Sequence, residues 1–249
     1  MLLLLWGVVA GATTLALGAH QAKFWTAPDW VIWLCIGVLA IQTFLPLARA
    51  GLRRMRGEVT TKFANHTKTT LGAVVLELAK LKIEIDELGV SAFIVHRKMR
   101  KPWEPLLRRV ARQRLVSAPG PSRILWTKGK GVIGRCWVEE NVVVKDTQVV
   151  HRPYLEATQA EWEAAPYETR MGLSYDEFQR IKGKYAVCVA VPIMTETSGE
   201  VSFRGCIAAD IRWGGYTEPL MTTEAVDVLM DAAATVAAEL SYLPRWTLW

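Results

Sequence analysis

Residues Tyr185 to Trp213 read YAVCVAVPIM, then TETSGE, then VSFRGCIAADIRW, and this stretch decides the fold. In a pleated strand Tyr185, Val187, Val189 and Val191 share one face and Ala186, Cys188 and Ala190 the other, so both faces are apolar and both need cover. That pattern belongs to a central strand. The polar insert Thr195 to Glu200 offers Gly199 for a positive-φ turn position and leads into Val201 to Ile211, which reads as the returning arm of an antiparallel hairpin. A hairpin with two apolar faces requires helices on each side.

The last helix is expected after Thr222 or Thr223 as its cap, with Val226, Leu229, Met230, Ala233, Val236, Ala237 and Leu240 at helical spacing. Upstream, Val90 to Lys98 and Leu106 to Val116 read as strands, with Pro102, Trp103 and Pro105 in the loop between them. A Gly-rich turn at Lys128–Gly134 precedes a helix, Val142 to Asp146 reads as a short strand, and residues 151–184 as short polar helices.

The first 48 residues contain only two charged side chains, Lys23 and Asp29, which is a membrane composition. Met1–Ala19 and Trp30–Ala48 read as two spans of a helical hairpin, with Trp25, Trp30 and Trp33 suited to an interfacial aromatic belt. A cleaved secretory signal is the alternative for the first run, since Ala16 and Gly18 form a small-x-small pattern, but the basic n-region of such a signal is missing. Arg49, Arg53, Arg54 and Arg56 follow the second run and place that end in the cytoplasm, at anionic lipid headgroups. The expected location is therefore the inner membrane, multi-pass, in a bacterial-type cell.

Leu71, Val74, Leu78, Leu81, Ile85 and Leu88 step by three and four, the spacing of a heptad seam, and Glu77 is placed to reach Lys82 of a second chain. The seam predicts a stalk helix ending at Gly89 and a homodimer; a helix packed on its own domain gives the same spacing. The divisions are 1–50 for the membrane helices, 51–88 for the juxtamembrane segment and stalk, 89–243 for the main domain, and 244–249 for an aromatic tail.

The net charge of +6 conceals an uneven distribution: residues 97–135 hold twelve Lys/Arg against one acidic residue, Glu104. Three readings fit this slab: a surface for anionic lipid, a site for an anionic ligand, or a solvated strand face. Without an aromatic ladder or recognition helix, nucleic acid is not expected. For the ligand reading the candidate residues are Arg123, Trp126, Lys128, Lys130 and Arg135, with the amides around Gly129 and Gly131 available to a phosphate; tight packing of the turn is the alternative. Cys35, Cys136, Cys188 and Cys206 have neither metal nor redox spacing and read as apolar fillers in a reducing compartment. His96 and His151 are isolated. Asp210, late in an apolar strand, is a candidate pocket anchor with Arg212 two residues on as its partner. No nucleophile, base and orienter assemble, so no catalytic residue, metal or cofactor is expected.

The order of parts resembles a GAF domain, a sensory fold related to PAS domains. The carrying residues are Phe93–His96 as first strand, the turn Lys128, Gly129, Lys130, Gly131, Val132, Ile133, Gly134, then Val143–Asp146, the "vPl" strand Val189–Ile193 and the return strand Gly205–Ala208. The resemblance covers roughly residues 70–243. It implies an α+β fold: an antiparallel sheet with the first and last helices on one face and a ligand pocket on the other. Methionine-sulfoxide reductases of this fold carry a reactive Cys in the Gly-rich turn, where this chain has Ile133. Bilin-binding members attach chromophore at a Cys usually followed by His, and Trp137, Val189 and Ile207 follow the cysteines here. Cyclic-nucleotide-binding members carry an N-K-x-F-D-E type signature, of which Tyr175–Phe178 keeps only a distant echo. The resemblance thus implies a non-catalytic membrane-anchored sensor that binds a small molecule. The alternative is an effector whose transmembrane hairpin is activated by a nucleotide-like ligand, and a third reading is an enzyme of the sulfoxide-reductase type acting through Cys136.

Overall fold

The structure is a computed structural model that describes residues 2–21, 23, 28–98, 101–117, 119–120 and 122–243. Trp25, Arg100 and the tail 244–249 lie outside the described residues, as do the side chains of Arg49, Arg53 and Arg56. In chain order the elements are α1 (Leu2–Gln21), α2 (Asp29–Lys80), β1 (Leu88–Lys98), β2 (Lys101–Arg114), α3 (Gly131–Glu139), β3 (Val143–Asp146), α4 (Thr147–His151), α5 (Gln159–Ala164), α6 (Tyr167–Arg170), α7 (Tyr175–Ile181), β4 (Tyr185–Thr197), β5 (Glu200–Arg212) and α8 (Thr223–Tyr242). They fall into two units, Met1–Val59 and Thr60–Trp249.

In the first unit large apolar side chains face outward: Trp30, Trp33, Ile41, Phe44 and Leu47 are all exposed. Among the described residues α2 is the one helix long and apolar enough to cross a membrane. Arg54 is exposed and pairs with Glu58 one turn on, at 3.1 Å.

The second unit holds a five-stranded sheet, order β2-β1-β5-β4-β3, with every pair antiparallel. The β4–β5 hairpin turns through Ser198 and Gly199, both at positive φ, so the connection is two residues long and the strands run further than the polar insert indicates. β4 is paired on both edges, and its two apolar faces are covered by the clusters on either side of the sheet. Pro102 and Pro105 lie within β2 and not in a loop. β2 is an edge strand, and neither proline falls at a paired position, because the register with β1 slips between His96 and Lys98.

One face of the sheet joins α2 and α8 in a single core. Leu88, Val90, Ala92 and Ile94 of β1, Val187 to Ile193 in alternation on β4, and Ile207, Ala209 and Ile211 of β5 meet Leu71, Val74, Val75 and Leu78 of α2 and Leu229, Ala233, Val236 and Leu240 of α8. Thr222 caps α8 by accepting from the Ala225 N–H. His66 of α2 pairs with Glu239 of α8.

This core corrects the stalk. Leu71, Val74 and Leu78 are buried in the chain's own core; α2 stops at Lys80, Lys82 takes a positive φ, Leu81 and Ile85 lie in the turns that follow, and Leu88 opens β1. The three-four spacing is that of a helix closing over its own domain, and it leaves no exposed seam at these six residues. Glu77 is bound to Lys80 on the same helix at 2.7 Å.

Candidate functional site

The opposite face of the same strands carries different chemistry. Ser91 and Phe93 on β1, Arg109 and Arg112 on β2, Cys188 on β4, and Ala208 and Asp210 on β5 line a half-enclosed cavity of about 100 Å³. Its cover comes from Trp126, from Gly131, Val132 and Ile133 of α3, from Thr147 and His151 of α4, and from Met171, Leu173 and Ile181. The first and last helices on one face and the cavity on the other is the arrangement implied by the GAF resemblance.

A backbone irregularity brings two arginines here. Ala92 pairs with Ala111 but Phe93 pairs with Arg109, so Val110 is an extra residue on β2. In a regular strand Arg109 and Arg112, three apart, would face opposite ways; the bulge resets the alternation, and both reach the cavity. Ala111 stays on the core side, opposite Ala92.

A glycine lets a third arginine across. Arg114 on β2 and Asp210 on β5 both pair in register with Gly89 of the strand between them. A β-carbon at Gly89 would collide with the Arg114 guanidinium. With no side chain there, the guanidinium passes over β1, binds the Asp210 carboxylate, and donates from Nη1 to the Glu87 carbonyl at 3.2 Å. Arg212, the partner expected from sequence, instead lies 3.8 Å from Glu87.

Burial pushes Asp210 up to about 6 against the opposing pull of Arg114 and Arg112. Burial and then the neighbouring Arg114 lower the pKa of Arg112, whose Nη2 donates to the Pro119 carbonyl at 2.8 Å. Burial, with Asp210 adding to it, carries the Tyr185 phenol to about 12, so it lines the cavity as a neutral hydroxyl.

Of the five residues picked out from sequence, the structure brings only Trp126 to the cavity. Arg123 and Lys128 are exposed. Lys130 is held by Glu177 at 2.8 Å, and Arg135 by Glu139 at 2.9 Å and by Glu168. The turn amides are engaged as well: Gly129 donates to the Gly134 carbonyl at 2.8 Å and Gly131 to the Met171 carbonyl at 2.7 Å. A β-carbon at Gly134 would run into the Thr127 carbonyl. The turn is built for close packing, which is the alternative reading of its glycines.

His151 is structural. Its Nε2 lies 3.1 Å from the Thr169 carbonyl, its ring stands edge-on to Trp162 and Phe178, and burial lowers its pKa, keeping it neutral. Trp162 and Phe178 stack with centroids 3.8 Å apart and form the small core under α5 and α7. Cys136 and Cys206 are fully buried, and burial raises the Cys188 and Cys206 thiols, so these groups are protonated fillers at neutral pH. Among the described residues no cluster of three or more His, Cys, Asp or Glu is placed to hold a metal.

Sequence reasoning flagged Asp210 but passed over Arg109, Arg112 and Tyr185 as site residues. The available signal was the arginine density of β2 facing an apolar strand that contains one buried acid.

No protein-family model matches the chain, and no curated protein matches it closely enough to count as a relative. Solved structures similar to it include the GAF domain of an Acinetobacter phosphoenolpyruvate-protein phosphotransferase, 15% identical with a TM-score of 0.43 over 80% of this chain and 97% of that one. A GAF domain region from Geobacter sulfurreducens is 13% identical, with a TM-score of 0.39 over 70% and 93%. The type II free methionine-R-sulfoxide reductase of Thermoplasma acidophilum is 12% identical, with a TM-score of 0.39 over 71% and 96%. Structures similar to the chain thus include enzymes as well as GAF domains.

Proposed function

We propose that this chain is a membrane-tethered sensory protein whose α+β unit binds a small molecule between the sheet and α3. The observation that carries the reading is the cavity itself: a polar floor of Arg109, Arg112, Tyr185 and Asp210 under apolar walls, on the sheet face that the helical core leaves open. A few convergent polar groups in an apolar hollow are the usual makeup of a ligand site. The GAF resemblance in the order of elements supports the same assignment.

For the tether, the exposed tryptophans of α2 and its long apolar run support at least one crossing. The uncharged twenty-residue α1 supports a second in our reading, with the arginines after Leu47 on the cytoplasmic side of an inner membrane. Resistance of the full chain to alkaline extraction from membranes is expected, and release into the soluble fraction would remove the tether.

Native mass spectrometry of the full chain in detergent tests the binding role. A small molecule of defined mass should stay with the wild type and be lost from Ala208→Leu, which fills the cavity. A chain that retains nothing, and whose thermal unfolding no small molecule shifts, would overturn the reading.

A further inference from the structure

We infer that the cavity selects a small organic carboxylate with a compact apolar body, its carboxylate held by Arg109 and Arg112. This rests on the ligand-binding reading above and adds the chemistry of the ligand.

The first argument is charge. Three guanidiniums, Arg109, Arg112 and Arg114, occupy this side of β2, against one carboxylate at the cavity, Asp210. Asp210 is engaged by Arg114, whose side chain is only 3% exposed. That leaves two cations in excess in the lining of a half-enclosed hollow with apolar walls, where their field is felt more strongly than on an open surface. Arg109 makes no hydrogen bond or ion pair among the described residues, and only one donor of Arg112 is engaged, by the Pro119 carbonyl. Two planar forks with free N–H groups suit the two oxygens of a carboxylate.

The second argument is the rest of the lining. Phe93, Trp126, Ile133 and Leu173 form walls with no use for a bare inorganic ion, which would leave them unfilled. An apolar cavity of about 150 Å³ takes benzene, so the half-open volume of about 100 Å³ here encloses a short branched chain or part of a single ring, and nothing larger. The small side chains Ser91 and Ala208 make that room on the sheet side. An anionic head with a compact apolar body satisfies both ends of the cavity.

The test measures binding of four probes to the full chain in detergent micelles: benzoate and 3-methylbutanoate, with benzamide and 3-methylbutanamide as neutral counterparts of the same shape. Each acid should bind about tenfold or more tighter than its amide, the range of a hydrogen bond to a charged group. Arg112→Gln and Arg109→Gln should each shrink that preference while leaving amide binding unchanged; Arg109 is exposed, so its variant has no reason to misfold. Amides that bind as tightly as acids would overturn the carboxylate assignment and leave the ligand-binding reading standing. Sulfate or phosphate displacing benzoate at equal concentration would likewise overturn it, in favour of an inorganic anion site. If none of the probes binds at millimolar concentration and the purified chain carries no ligand, the carboxylate assignment and the ligand-binding reading fall together.

Discussion

The two faces of the sheet are made by the same strands, one residue apart, and they do opposite things. On β5, Ile207, Ala209 and Ile211 enter the helical core while Cys206, Ala208 and Asp210 turn the other way. On β1, Val90, Ala92 and Ile94 are matched against Gly89, Ser91 and Phe93. The core face is mostly branched and aliphatic, and α2 and α8 pack on it. The other face uses Gly, Ser, Ala and Cys where its neighbour uses Val and Ile, and the missing methyl groups are the cavity. Both faces bury apolar side chains, and the cavity face adds a buried charge pair.

That contrast is best broken at Arg114. Arg114→Met leaves the Asp210 carboxyl without its partner in a buried place, a loss of about 3 kcal/mol at pH 7. The double variant Arg114→Met with Asp210→Leu should recover most of it, because an apolar pair of similar volume replaces a buried ion pair at little net cost. Denaturant unfolding of the full chain measures both. A double variant as unstable as the single one would mean that the pair organises the sheet itself.

The core face should respond to volume alone. Leu78→Ala, or Leu229→Ala on α8, removes a fully buried side chain and is expected to cost about 3 kcal/mol. Ala208→Val, on the cavity side, adds methyl groups where there is space and should cost less than about 1 kcal/mol. Equal costs on the two faces would show that the cavity is packed as tightly as the core.

The faces should also separate by pH. Asp210 has its ordinary pKa near 3.8 when unfolded and about 6 when folded, so the folded state holds its proton more tightly. Its contribution is complete below about 3.8 and is lost as pH rises through 6, a fall of at most about 3 kcal/mol. The groups facing it are Arg109, Arg112 and Arg114 on β2 and Tyr185 and Cys188 on β4; burial carries the Tyr185 phenol to about 12 and raises the Cys188 thiol, both away from that window. Stability curves of wild type and Asp210→Asn should therefore differ in slope between pH 4 and 6 and run parallel above it. Parallel curves throughout would place the Asp210 pKa in the ordinary range.

Much of the fold was readable because its signals are local. The double-faced apolar run at Tyr185–Ile193, the Thr222 cap and the glycine turn before α3 each declare themselves within a few residues. The end of α2 was harder: Leu81, Ile85 and Leu88 continue the spacing of Leu71, Val74 and Leu78 past the end of the helix, and a coiled-coil seam and a helix buried on its own domain share that spacing. The site was least readable because its parts meet at long range. The Val110 bulge decides which arginines face the cavity, and a glycine on a third strand decides that Arg114 meets Asp210 across 96 positions of sequence. Neither leaves a periodic trace.

The smallest effect is expected at Lys130 in the Gly-rich turn. Lys130 binds the Glu177 carboxylate at 2.8 Å with both side chains about one-fifth exposed, and Glu177 also accepts from the Ser174 N–H at 3.0 Å to complete the box that starts α7. Burial alone would raise the Glu177 pKa, but the hydrogen bonds from Lys130 and Ser174 bring it below its ordinary 4.5. The pair therefore contributes above that value and fades as pH falls through the lower folded one. Lys130→Met should cost about 0.5 to 1 kcal/mol at neutral pH and almost nothing in acid, the scale of a partly exposed pair. It should leave benzoate binding unchanged, whereas Arg112→Gln should not. If Lys130→Met weakens benzoate binding as much as Arg112→Gln does, the ligand reaches the Gly-rich turn, and the polar end of the site has to be redrawn around α3.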